Sequence, residues 1–555
     1  MEARWPNAKL EDMLSPTAWS RTEKGSVYGR IEDKDLYAAG VDWTGALATL
    51  NVAHQFYTWT RYVQSYSHDT AAKSASFTYP RDLPGITSWA TRANTTAAWT
   101  GHQYFLSGKL DALDSPGEWF LDVANDSSTP KWTLYFWPPG DSMVNTSLEV
   151  KVRSLCFNAS HTSRFVLTDM AFFGCTFTCN QCIGALVANV SLLYPTYDKF
   201  IPEMGPVDQE LGDEYGLLGV DSVATRQNWQ RYLSSSVSAQ QRTVATKIEG
   251  EHNTVINLTL YHSNNHGLDI SGTFNHVLQV LVVDTCWLGT LIYTPVSMSG
   301  SDNMITYSTA AYFGNAGITT HGPNEIVAYC QVHNGGLIGL DTAGIYTGSP
   351  TDHGAQYHHN WVRDMREKCI RGDDLSANMT VHHNVMANCG EPNGDVRRDG
   401  IGLVVKGLGH VIYANTMINC QRVSRCMPAC GSPYKPWDCH GNTCPLLIIK
   451  QNVDTLYFNN AQHNQTGQMC GCGATGDATY AGGIASGIFN GTEAEMKLAN
   501  PREMDYTPTQ TSPLVDRGVI KPPYTNVYVG KAPDIGAYEY GGEVWKPGCA
   551  IHKDC

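Results

Sequence analysis

The chain is 555 residues long, which calls for several domains or for one elongated repetitive one. Charged residues make up only 16% while glycine reaches 52 and tyrosine 28, a balance that excludes a mostly helical or coiled-coil protein. With 52 acidic against 38 basic residues the net charge is −14, so a nucleic-acid partner is disfavoured and calcium or a neutral glycan suits the field better than a polyanion.

In chain order, residues 1–147 are rich in Trp, Tyr, Pro and Asp and carry no repeat. Strand-like runs such as Trp132 to Trp137 stop at Pro138-Pro139-Gly140, and the segment reads as a β-sandwich-like module. Its opening Met1-Glu2-Ala3-Arg4-Trp5 has neither the basic nor the apolar stretch of a signal peptide, and the expectation is a start truncated or processed from a longer precursor. Residues 148–500 open with Leu148 to Val152 and make a loop-rich excursion from Ser191 to Gln241, with a short helical stretch near Asn228 to Ser238. They then settle into a period.

First strands align at Leu258, Val282, Tyr307, Cys330, Asn360, Asn384 and Asn415, at spacings of 24, 25, 23, 30, 24 and 31. Second strands open at Gly267, Gly289, Gly317, Gly344, Cys369 and Gly400. Short strands at this period with no helical pattern between them predict an all-β parallel β-helix rather than leucine-rich repeats or a propeller. Asn360, Asn384 and Asn415 are expected to form an asparagine ladder at one turn. Residues 421–445 read as a Cys/Pro/Gly insertion between coils, and the proline-rich residues 501–555 as a loop-rich C-terminal cap. The longest apolar runs, such as Val277 to Val283, fall short of the roughly 20 residues that span a bilayer.

The 17 cysteines include tight groups at Cys175, Cys179, Cys182, at Cys426, Cys430, Cys439, Cys444, and at Cys470, Cys472. Such groups mean disulfides in a secreted chain and zinc in a cytosolic one. Sequons at Asn94, Asn125, Asn145, Asn158, Asn189, Asn257, Asn378, Asn464 and Asn490 favour the secretory, N-glycosylating route, with zinc at Cys426 to Cys444 as the alternative. Cys549 and Cys555 give the end the look of a cut through a longer cysteine-bearing precursor. Cys389 and Cys420 each follow a ladder asparagine by five residues, and a staple between adjacent coils about 4.8 Å apart is expected there, with a buried thiol stack as the alternative.

Three segments carry a resemblance: Glu2 to Asn7, then Gln103 to Leu106 with Leu113 to Phe120, and Ala532 to Gly542. They are similar to secreted right-handed parallel β-helix proteins of the glycan-active kind, glycoside hydrolases and polysaccharide lyases, and the resemblance covers nearly the whole chain. It implies that the β-sandwich is inserted in an early part of the helix and that the chain begins inside the family pattern. The segment from Asp341 through His358-His359-Asn360 to Asp373 and His382-His383-Asn384 resembles the family's central coils, departing at Arg371 to Leu375.

Counting along each second strand puts Asp269, Thr319, His321, Tyr346, Arg371 and Asp373 on the outward face, with Asp341, Glu367 and Asp399 just before three consecutive strands. Carboxylates one or two coils apart span the distances used in retaining and inverting glycoside hydrolysis. Asp341 and Asp373 are therefore the leading catalytic carboxylates, with Glu367 and Asp399 as acid/base candidates and Tyr346, Arg371, His321 and Lys406 as substrate-binding residues. The plain alternative is that the carboxylates only satisfy turn amides. A lyase version would use an Arg or Lys base with calcium holding a uronate, and Lys406 is its candidate. His358-His359 and His382-His383 are not assigned to a metal, because neighbours on a strand point to opposite faces. Against a polysaccharide-cleaving enzyme stands a structural glycoprotein that self-assembles into an extracellular filament or cell-surface coat.

Overall fold

The computed structural model describes residues 1–550 apart from 54, 56–57, 81–98, 125–130, 142–147, 150, 152, 154, 197–244, 290–292, 349–351, 374–375, 391–399, 407–408, 421, 427–454 and 464–483. Two long sheets build a solenoid. A ten-stranded sheet runs from Leu155–Ser160 to Arg422–Cys426, and a 19-stranded sheet from Val166–Phe173 to Phe489–Gly491. A typical coil gives two strands to the larger sheet, such as Gln356–His358 and Trp361–Met365, and one to the smaller, Lys368–Gly372. All pairings between successive coils are parallel, as in Trp361↔Val385 and Tyr346↔Arg371, and the protein is a parallel β-helix.

The inward positions explain why these strands form. Ile345, Ile370 and Leu403 occupy one row of the smaller sheet, and Val327, Tyr357, Val381, Ile412 and Tyr457 one row of the larger. All are buried, so each coil covers the apolar face of the next. The chain turns corners at left-handed residues: His359 and Asp364 in one coil have φ of 56° and 53°, and His383 and Asn388 in the next 51° and 54°. Asn, Asp and His tolerate that conformation better than β-branched residues do.

The predicted asparagine ladder is present and longer than expected. Asn360 Nδ2 donates to Asn384 Oδ1 at 3.0 Å, Asn384 to Asn415 at 3.0 Å and Asn415 to Asn460 at 2.9 Å, while Asn360 Oδ1 accepts from Cys330 N at 2.8 Å. Going back along the coils the row passes through Ser308 and Val280, not Tyr307 and Val282: Ser308 Oγ accepts from Val280 N. A second ladder lies one turn away, where Asn253, Asn275 and Asn303 each donate to the next at 2.9 Å and the row ends on Glu325. Burial pushes the Glu325 carboxyl up to about 8 despite the hydrogen bond from Asn303. Two second-strand registers also differ from expectation. The coil of Gly289 pairs through Val296–Ser301, with Leu268 opposite Val296, and Ile370 pairs with Leu403 rather than Ile401.

The paired histidines are corrected by the same corners. Left-handed backbone at His359 and His383 folds each pair together rather than to opposite faces, with Nδ1···Nδ1 distances of 3.0 Å for His358/His359 and 2.8 Å for His382/His383. The rings also stack between coils, His358 on His382 at 4.9 Å and His359 on His383 at 4.9 Å.

Antiparallel strands dominate the N-terminal residues: Leu47–Asn51 lies between Gln103–Ser107 and Trp59–Tyr62, and Ser74–Thr78 between Arg30–Asp33 and Ser65–Asp69. Trp43, Phe77, Tyr79 and Tyr104 fill their core. This part meets the solenoid where Met13, Leu14, Trp19 and Phe105 pack on Trp287, Leu288 and Ile338. The C-terminal residues run back along the side of the solenoid. Gly536 N donates to Asn459 O, Ala537 N to Thr416 Oγ1, Trp361 Nε1 to the Tyr538 hydroxyl, Gly548 N to Tyr329 O and Cys549 N to Thr309 Oγ1.

Disulfides join Cys156 to Cys175, Cys179 to Cys182 and Cys369 to Cys389. The expected Cys389–Cys420 staple is replaced: Cys389 is stapled instead to Cys369 of the preceding coil, and Cys420 stays a thiol with its sulfur 2.8 Å from that of Cys389. Cys286 and Cys330 are buried thiols. Cys549 is disulfide-bonded. Cys430, Cys439, Cys444, Cys470, Cys472 and Cys555, the side chain of Cys426, and the helical stretch expected near Asn228 to Ser238 lie outside the described residues.

Candidate functional site

The register of the ten-stranded sheet assembles two outward rows. Asp269, Ser297, Thr319, Tyr346, Arg371 and Val404 are successive partners in one. Two residues further along each strand, extending the pairs Thr320↔Thr347, Thr347↔Gly372 and Gly372↔Val405, come His321, Gly348, Asp373 and Lys406. Five of the predicted residues therefore share one patch, each on a coil about 4.8 Å from the next.

Arg371 is its centre. Its guanidinium donates to Asp341 Oδ1 at 2.7 Å and to the Asp341 carbonyl at 3.0 Å, pairs through Nη2 with Asp373, and lies 5.5 Å from the centre of the Tyr346 ring. Lys406 reaches the other oxygen of Asp373, Oδ1, while the Tyr346 hydroxyl is 3.4 Å from Oδ2, the oxygen that Arg371 pairs with. On the adjoining corner Lys368 Nζ bridges Asp341 at 3.2 Å and Glu367 at 3.1 Å, and Glu367 also accepts from Thr342 N at 2.7 Å. Loss of water around the half-exposed Asp341 works to raise its pKa, yet Arg371 and Lys368 outweigh this and hold the carboxyl well below the usual carboxylate range. Burial opposes the charge on Arg371, and Asp341 with Asp373 more than restores it. The Arg371 Nε is buried without a hydrogen-bond partner.

His321 stands at the open side of the patch, its side chain 46% exposed. Its Nδ1 is 3.8 Å from the fully buried carboxylate of Asp352, which accepts from Gly322 N at 2.7 Å, Thr347 Oγ1 at 2.8 Å and Gly348 N at 3.1 Å. Between His321 and Asp373 lies Gly348, where a Cβ would come within 2.5 Å of the Tyr346 hydroxyl. The Tyr346 hydroxyl and ring and the Asp373 Cβ occupy that space, so the glycine lets these two side chains close over the strand end, with His321 and Lys406 on the flanking coils. Sequence reasoning missed Lys368, Gly348 and Asp352. Lys368 lies on a strand already counted and Gly348 directly follows one, whereas Asp352 lies between strands with no periodic signal.

Asp341, Glu367 and Asp373 are each ion-paired, an arrangement that does not suit the general acid of glycoside hydrolysis. Asp399 lies outside the described residues. Nor do these carboxylates fit calcium, which takes six to eight oxygen ligands, while here lysine and arginine already fill the space between them. Cys369, Cys389 and Cys420 have sulfurs within 4.8 Å of one another, the closest approach to a metal-ligand group among the described residues, but two of them are spent in the disulfide.

Among the sequons, Asn158, Asn189, Asn378 and Asn490 are exposed, Asn378 shortly after Asp373. Asn189 Nδ2 donates to Asp169 at 3.0 Å and Asn257 Nδ2 to Asn189 at 3.1 Å, so these two amides form an outer ladder of their own. Asn94, Asn125, Asn145 and Asn464 lie outside the described residues. No helix among the described residues is long and apolar enough to cross a membrane.

No protein-family model and no curated protein matches the chain. Among solved structures it is similar to a glycoside hydrolase at 12% identity and a TM-score of 0.38, over 77% of this chain and 73% of that one. It is similar to a pectate lyase at 12% identity and a TM-score of 0.35, over 54% and 83%. A PL6 family polysaccharide lyase from Pseudopedobacter saltans matches at 12% identity and a TM-score of 0.33, over 72% and 93%.

Proposed function

We propose that the protein is a secreted glycoprotein enzyme that cleaves an acidic extracellular polysaccharide by β-elimination at a uronate. The observation that carries this reading is the convergence of Arg371 and Lys406 on Asp373, with the exposed His321 two coils away on the same outward face. Two cations on one outward face are suited to bind the substrate carboxylate, and neutralising that charge acidifies the C5 proton beside it. His321, oriented by the buried Asp352, takes the C5 proton as general base. The electron pair forms the C4–C5 double bond, the C4–O4 bond breaks, and the Tyr346 hydroxyl returns a proton to O4. Asp341 and Glu367 then serve to position Arg371 and Lys368, a role different from the nucleophile or acid that hydrolysis requires.

The test is a panel of uronate-containing polysaccharides, with product followed by the ultraviolet absorbance of the unsaturated uronate. His321→Ala is expected to lower kcat by about a hundredfold or more. Reducing ends released without unsaturation would show hydrolysis instead. No cleavage of any acidic glycan, with the protein found in ordered polymers at its source, would make the structural glycoprotein the better account.

A further inference from the structure

A groove of about 1200 Å³ lies around the corner from the charged patch. The two are back to back: Arg366 lines the groove, and the next residue, Glu367, belongs to the patch. Its floor is one row of left-handed corner residues, Asp284, Tyr312, Asn334, Asp364, Asn388 and Asn419, all with φ between 51° and 56°. Each directly follows a residue paired in the larger sheet, through Val283↔Ala311, Ala311↔His333, His333↔Arg363, Arg363↔Ala387 and Ala387↔Ile418. Six coils at that spacing make a floor about 24 Å long. The facing wall is the N-terminal segment with Glu11 and Asp12.

We propose that this groove is a second binding site, for a neutral oligosaccharide laid along the solenoid axis. A repeated floor suits a repeated ligand, because each sugar unit meets a fresh corner residue. The carboxamides of Asn334, Asn388 and Asn419 both donate and accept, which matches hydroxyl groups. Tyr312, 47% exposed, offers an aromatic face to the C–H face of a pyranose ring. The charge excludes an acidic chain. The carboxylates of Glu11, Asp12, Asp284 and Asp364 outnumber the guanidiniums of Arg363 and Arg366 along the groove, so its lining repels a polyanion. The site thus takes a neutral chain where the patch takes an acidic one, and it would anchor the enzyme on a neutral matrix while the patch works on the acidic component.

Calorimetric titration of the full chain with hexasaccharides of neutral β-glucan, xylan and galactan, and with an oligogalacturonate as the acidic control, tests this. At least one neutral hexamer is expected to bind, with affinity reduced about tenfold or more by Tyr312→Ala and by Asn388→Ala and unchanged by His321→Ala. The same two groove variants are expected to leave any cleavage of soluble acidic oligomers intact, which separates this site from the proposed active patch. Absence of binding by every neutral hexamer, or binding that Tyr312→Ala and Asn388→Ala leave untouched, would overturn the proposal. Circular dichroism of each variant checks that the exposed substitutions leave the fold in place.

Discussion

The inner turns and the outer patch use the same geometry for opposite purposes. At the Asn360–Asn384–Asn415 ladder the coil spacing brings amide onto amide, and each side chain is fully buried with its donors satisfied by the neighbouring coils. On the outward face the same spacing brings carboxylate, guanidinium and ammonium together, one of them with a buried Nε that no protein group satisfies. A saturated row contributes stability; an unsaturated one retains capacity for a ligand. The difference teaches that on a solenoid the chemistry of a row is set by what the row faces, not by the repeat.

The sharpest way to break the comparison is to cut each row once. Asn384→Ala removes donors to Asn415 Oδ1, Tyr357 O and His382 O and strands the Asn360 amide that it accepts from, and it should cost about 4 kcal/mol, read by denaturant unfolding. In the patch, Arg371→Met should abolish cleavage, but with a smaller loss of about 2 kcal/mol because Asp341 is half exposed and can rehydrate. A double substitution of Arg371 and Asp341 should recover part of that stability without activity.

Acid sharpens the contrast next. Burial lowers the pKa of His358 to about 4, His359 to about 3 and His383 to about 4, and that of His382 below its ordinary value of 6.5. The unfolded chain then binds more protons than the folded one between about pH 6.5 and 4, so unfolding free energy should fall as pH drops through that window. Replacing His358 and His382 by Phe, to match the stacked Tyr413 and Phe458 further along the row, should flatten the slope. The smallest effect has the opposite sign. Glu325 has its folded pKa raised from 4.5 to about 8, so it favours the folded state at low pH and that contribution is lost as pH rises between those values. Glu325→Gln should remove this alkaline loss, measured as thermal midpoint against pH.

Much of this was legible in the sequence because a solenoid repeats its instructions. Asn360, Asn384 and Asn415 announced both the period and the turn, and counting from the strand glycines placed Tyr346, Arg371 and Asp373 on one face. Where the ladder residue changes to Ser308 and Val280, the pattern loses its marker, and Tyr307 and Val282 were aligned in their place. The ladder of Asn253, Asn275 and Asn303 went unread because it ends on a glutamate, whose fit depends on burial that only the folded coil supplies. The histidine pairs were misread for a conformational reason: alternation assumes extended backbone, and one left-handed residue cancels it. Asp352, 3.8 Å from His321, lies between strands, beyond the reach of any periodic argument.

The C-terminal segment, finally, sets a length. Coils of a solenoid can in principle be duplicated or lost one at a time, since each touches only its neighbours. Here a single stretch is tied to Asn459 at one end and to Thr309 at the other, with Thr416, Trp361 and Tyr329 gripped between. Gaining or deleting a coil inside that interval would slide every one of those partners by a full step, so the strap acts as a ruler, and variation in coil number is confined to the parts of the solenoid it does not cross.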